Sequence, residues 1–258
     1  MTGGLRRPVR PGFTDVLRAE ASKLWTMRSA WWTLAAMAAG ILGVAVFVGA
    51  TRSLQPDDTV LGGSLTGATL GLMVGASFGV LMMTGEHTSG MIRTTLLACP
   101  RRGLVLAAKA VVTAASLFVV ALAACSLAFL AGAALLSGDG YAPGAPWPAL
   151  LGVALSFSLT GVLGLAVGTL LRHPGGAVTT MLAGILLPSL LGPLLGDGER
   201  WVAGASPMAA TQKLSQSSDA SPELAGSLAG WPSLLLIAGY VVAALLAAWV
   251  LLRRRDVR

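Results

Sequence analysis

Apolar residues gather into six long runs, at positions 31–50, 62–84, 110–136, 149–171, 175–195 and 232–252, and none of these contains Asp, Glu, Lys, Arg or His. A membrane helix needs about 18 to 20 apolar residues, so each run is long enough to cross a bilayer. Ahead of the first run, Phe13, Val16, Leu17, Leu24 and Trp25 recur at helical spacing, with Asp15, Arg18, Ser22 and Thr26 largely on the opposite side. That pattern predicts an amphipathic helix lying in the membrane interface, followed by Trp31 and Trp32 as interfacial anchors. The expected fold is an all-α integral membrane protein with six transmembrane helices and an N-terminal amphipathic interfacial helix. Residues 1–30 form a basic arm and that helix, and residues 31–258 form the six-span domain.

Composition agrees with the pattern. Hydrophobic residues make up 55% of the chain, charged residues 11%, and mean hydropathy is +0.76, values outside the range of a soluble domain. The sequence pI of about 10.4 raises the possibility of nucleic-acid binding, and the placement of charge removes it. Fifteen of the eighteen Lys and Arg residues fall in alternate segments, namely both ends, 85–109 and 172–174. Seven of the eleven acidic residues lie in the other segments. This is the asymmetry of the positive-inside rule, so both termini and segment 85–109 are expected in the cytoplasm of a multi-pass cell-membrane protein, with an outer loop at 196–231.

The only sizeable polar segment between two of the runs on the basic side is 85–109, GEHTSGMIRTTLLACPRRGLVLAAK. Thr88 or Ser89 can cap a short helix there, and Pro100 ends it by driving Cys99 out of the α region. About two turns remain. Met91, Ile92 and Leu96 group on one side, and Arg93, Arg101 and Arg102 supply charge that lipid excludes. Such a helix suits a groove on a partner protein; an ordinary solvated loop made basic by its location is the competing reading.

Glu86, Ser89-Gly90, Leu96, Leu97, Pro100, Arg101-Arg102 and Lys109, lying between a second and a third span, resemble the first cytoplasmic loop of ABC-2 type transporter permeases. Six spans, a basic amphipathic N-terminal helix and a long outer loop before the last span extend the likeness over most of the chain. Met91 departs from the family, which often has Thr after the glycine. The resemblance implies that this loop carries a coupling helix, with Glu86, Gly90, Met91, Ile92, Arg93, Leu96, Pro100, Arg101, Arg102 and Lys109 as candidate coupling residues. It further implies a separate ATPase subunit and a second permease subunit, identical or different. The chain itself has no Gly-x-x-x-x-Gly-Lys-Ser/Thr phosphate-binding loop.

Gly63, Gly67, Gly71, Gly75 and Gly79 place a small residue every fourth position along the second run, a surface that lets another helix approach closely or that lines a pathway. Residues 75–79 also fit a nucleophile-elbow pattern around Ser77, but that elbow requires a strand-to-helix turn. Pro188 and Pro193 interrupt the fifth run and are candidates for a gate. Cys99 and Cys125 are separated by topology, and His87 and His173 are too few for a metal cluster, so neither metal nor cofactor is called for. Three further classes compete with an exporter subunit. An ion-coupled carrier places ionisable groups at membrane depth, where these runs have none; an intramembrane enzyme lacks a base beside Ser77; a non-transporting scaffold predicts no transport.

Overall fold

The computed structural model describes residues 11–54, 58–136, 140–191, 204–217, 220 and 228–254. Among these there are ten helices and no strand. Five helices are long and apolar enough to cross a membrane: α2 (Arg28–Thr51), α4 (Ala68–Thr88), α6 (Arg102–Leu135), α7 (Pro146–Leu171) and α10 (Gly230–Arg254). The fifth apolar run forms α8 (Pro174–Leu191), whose apolar stretch Pro174–Pro188 is shorter than those five.

Before α2 lies α1 (Phe13–Thr26), opened by the Gly12 N–H donating to Asp15 Oδ2 at 2.9 Å. A single extended residue, Met27, separates it from α2 and sets a corner, where the Trp25 and Trp31 rings lie 4.9 Å apart. The buried face of α1 is not the one its aromatic residues mark. Val16, Glu20 and Leu24 are buried, whereas Phe13 and Trp25 are 42% and 69% exposed. A glutamate thus occupies the middle of the stripe that packs on α6.

The second apolar run is two helices instead of one. Thr59 Oγ1 accepts the Gly62 N–H and caps α3 (Val60–Ser64); a turn at residues 65–67 follows, and α4 starts afresh at Ala68. Two adjacent glycines weaken helix there, and Thr66 Oγ1 donates to the Gly63 carbonyl at 2.9 Å. The glycine series is therefore not one continuous stripe. Gly63 is in α3, Gly67 is at the junction, and Gly71, Gly75 and Gly79 are in α4.

α7 is the centre of the bundle. It packs against α4, α6, α8 and α10, and it is buried along most of its length, from Ala149 to Thr169. Phe157 is fully buried and fills the space beside Gly71 and Gly75. Two turns of backbone then touch: a Cβ added at Gly79 would sit 1.8 Å from the Gly161 carbonyl oxygen, and one at Gly164 would sit 2.4 Å from that of Ala76. Only glycine permits helices this close.

The segment 196–231, read from sequence as an outer loop, is in part interior. Its described portion includes α9 (Pro207–Leu214), which has Pro207 at its first position and Ser206 Oγ accepting the Ala209 N–H. Pro207, Ala209, Ala210, Thr211 and Leu214 are buried. Met208 packs with Val80, Ala177 and Met181, and Ala210 packs with Val162, Ile237 and Val241. Polar atoms taken inside are paired, Thr211 Oγ1 lying 2.8 Å from Ser156 Oγ of α7. The leucine that closes the helix, Leu214, fits against Gly152 and Gly230, where an added Cβ would meet its side chain at 2.7 and 2.9 Å.

Candidate functional site

At the basic end of the bundle, α5 (Met91–Ala98) joins α4 to α6. Its start differs from the expected cap. Gly90 is the N-cap, in the left-handed region at φ +71°, while Ser89 Oγ and Thr88 Oγ1 donate back to the Gly85 carbonyl. A residue with a Cβ is strained at that angle. The end is as the sequence predicts, with Cys99 extended (φ −134°, ψ 97°) before the exposed Pro100.

Behind α5 lies a four-residue ion network. The Lys109 ammonium donates to Glu20 Oε2 at 2.6 Å and pairs with Glu86 Oε1 at 2.9 Å. Lys23 donates to Glu20 Oε1 at 2.7 Å, to Glu86 Oε1 at 2.9 Å and to Thr95 Oγ1 of α5 at 3.0 Å. Glu20, Glu86 and Lys109 are all at least 98% buried. Two negative and two positive charges balance, which is the condition for keeping ions out of water. Burial alone would lower the Lys23 pKa, but its hydrogen bonds and charge pairing with Glu20 and Glu86 outweigh this and hold it above the ordinary lysine value. Glu86 Oε2 is buried without a hydrogen-bond partner among the described residues.

The network ties together α1, the end of α4, α5 and the second turn of α6. Glu86 and Lys109, candidates from the sequence, are thus internal struts. Glu20, Lys23 and Thr95 were missed. The available signal was Glu20 itself, a carboxylate at the i, i+4 position between Val16 and Leu24, which must find a cation once that stripe is buried.

The apolar side of α5 also needs correction. Ile92 is 4% exposed and belongs to the main core with Leu24 and Leu106, and Leu96 packs partly against it. The stripe therefore has a core of its own, in which Ile92 and Leu96 join Leu24 of α1 and Leu106 of α6. What α5 leaves outside is Met91, 39% exposed, and Leu97, 85% exposed, together with Arg93. Arg101 is exposed beside Pro100, whereas Arg102 turns toward α10 and donates to the Leu252 carbonyl.

The remaining candidates lie elsewhere. Gly67, Gly71, Gly75 and Gly79 face protein, meeting Ile41, Met37, Phe157 and Gly161, and Gly63 meets Leu54. Close packing is what they serve, with Gly75 the loosest, since an added Cβ there would find its neighbours at 3.4 Å or beyond. Gly161, Gly164 and Gly168 are the matching series on α7. Ser77 Oγ donates to the Met73 carbonyl in mid-helix, which is not an elbow. Pro188 lines a cavity of about 260 Å³ with Met181, Ile185, Ser206 and Tyr240; Pro193 lies outside the described residues.

Compared with known proteins, the sequence matches no family model and no curated protein.

Proposed function

We propose that this chain is the membrane-spanning permease subunit of an ABC-2 type exporter, working with a separate ATPase subunit and a second permease subunit. In this reading α8 makes the sixth crossing; α1 lies in the interface; and both termini and α5 face the cytoplasm. The observation that carries the proposal is the mounting of α5. A short helix between two long apolar helices exposes Leu97, Met91 and Arg93 while its other face is locked into the bundle by Ile92 and the Thr95–Lys23 hydrogen bond. A contact on so firmly held a helix displaces the helices behind it, as coupling to an ATPase requires. Docking a partner over Leu97, 85% exposed, would take that apolar side chain out of water.

The test uses the full-length chain purified from its own membranes, with a cysteine at position 97 for crosslinking. We expect a crosslink to a subunit carrying a nucleotide-phosphate loop, and co-purifying ATP hydrolysis. Leu97→Asp is expected to reduce both about tenfold or more, a loss of roughly 1.4 kcal/mol or greater, with the chain still inserted and monodisperse. No ATPase on the parent chain, or an unaltered complex with Leu97→Asp, refutes the reading. A reporter fused to the C-terminus, active only on the outer side, refutes the topology.

A further inference from the structure

Away from α5, the start of α6 and the end of α10 converge on a second basic feature. Pro100, Arg101, Arg102, Trp249 and Arg253 line an open pocket of about 510 Å³. Its groups are held in place: Arg102 donates to the Leu252 carbonyl, and the Arg253 guanidinium stacks 4.0 Å from the Trp249 ring. Trp249 in turn lies against Gly103, where an added Cβ would come within 2.6 Å of its indole nitrogen. The positive end of the α6 dipole points the same way.

From this pocket a groove of about 370 Å³ continues along the bundle, sharing Gly103 and Trp249 with it and lined by Leu106, Ala107, Val242 and Leu246. Val242 and Leu246 are each 56% exposed on α10, a helix apolar and long enough to cross a bilayer, so the groove opens where acyl chains run. Basic groups at the mouth and an apolar channel beneath match the two halves of one molecule.

We propose that this cleft between α6 and α10 binds an anionic phospholipid, its phosphate on Arg101, Arg102 and Arg253 and one acyl chain in the groove. Basic pockets between transmembrane helices take lipid headgroups in this way, and Trp249 sits at the headgroup level. The site shares Arg101 and Arg102 with the coupling residues that the family resemblance implies, but it uses no surface of α5, and Arg253→Ala and Ala107→Trp below probe it apart from them.

The test is native mass spectrometry of the full-length chain extracted from vesicles of equal phosphatidylglycerol and phosphatidylcholine. The parent is expected to retain phosphatidylglycerol selectively. Arg101→Ala and Arg253→Ala should each cut retention about fivefold, the equivalent of about 1 kcal/mol per basic residue near the surface. Ala107→Trp, which fills the groove and leaves every charge in place, should also cut it. Equal retention of the two lipids by the parent, or unchanged selectivity in both arginine variants, overturns the proposal. So does retention unaffected by Ala107→Trp, or equally tight binding of free glycerol phosphate, either of which would mark a phosphate site without a lipid tail.

Discussion

Lys109 of α6 and Glu20 of α1 meet at 2.6 Å although both are almost wholly buried. The pair fixes α1 across the bundle's basic end, because neither charge can leave the contact without first reaching water. Lys109 also serves Glu86, so its removal would leave two carboxylates with only Lys23 between them.

Lys109→Met is therefore expected to destabilise the protein by about 3–5 kcal/mol, the usual result of stranding a buried charge. Glu20→Gln combined with Lys109→Met should recover part of that loss, since the net charge of the network is restored. Thermal unfolding of the detergent-solubilised chain measures both, and a Lys109→Met protein that melts like the parent would show that the network contributes nothing.

The pH dependence has a definite sign. The folded state holds the Lys23 proton more tightly than the unfolded chain does, so the contribution of this group is complete below the ordinary lysine value of 10.5 and declines as pH rises through its higher folded value. The melting temperature of the parent should exceed that of Lys23→Gln from neutral pH upward, and the gap should close only above 10.5. A gap that closes near neutrality would assign the effect to another group.

Burial divides the side chains of α5. Ile92→Ala should cost about 2–4 kcal/mol as a large-to-small core change, whereas Leu97→Ser, on the exposed face, should leave stability within about 0.5 kcal/mol. Equal losses from the two would mean that Leu97 is also packed.

At the α4–α7 contact, Gly79→Ala must push its methyl into the Gly161 carbonyl and should cost about 1–3 kcal/mol or more. Gly75→Ala meets only ordinary van der Waals neighbours and should be nearly neutral. Melting curves of the two variants side by side decide it; indistinguishable curves would place the helices farther apart than described.

Sequence periodicity located the long helices because each is a local property of one apolar run, and Pro100 marked the end of α5 for the same reason. The ion network was hidden because its bonds join residues 63, 72 and 89 positions apart. Only the Glu20–Lys23 contact, three residues apart, falls within one turn of helix; the partners of the others lie beyond any short window. The burial of Ile92 is also invisible along the chain, because the core it joins is built by other helices, with Leu24 of α1 and Leu106 of α6. Likewise the break at residues 65–67 and the insertion of α9 depend on what neighbouring helices leave room for. Glu20 and Gly161 show what a closer reading could extract: a charge inside an apolar stripe asks for a buried partner, and glycines at 161, 164 and 168 ask for a second smooth face to match the first.

The backbone contact of Gly79 with Gly161 has a mechanical consequence. Two helices in register at that distance can neither roll nor slide past one another without one main chain entering the other, so α4 and α7 form a single spar. Since α5 follows directly on α4, a displacement of α5 under the proposed coupling would be passed to α4 and α7 together. Any yielding joint must therefore lie outside this pair, for example at the boundary with α8, where Ala76 and Val80 meet Ala177, Met181 and Ile185 side chain against side chain.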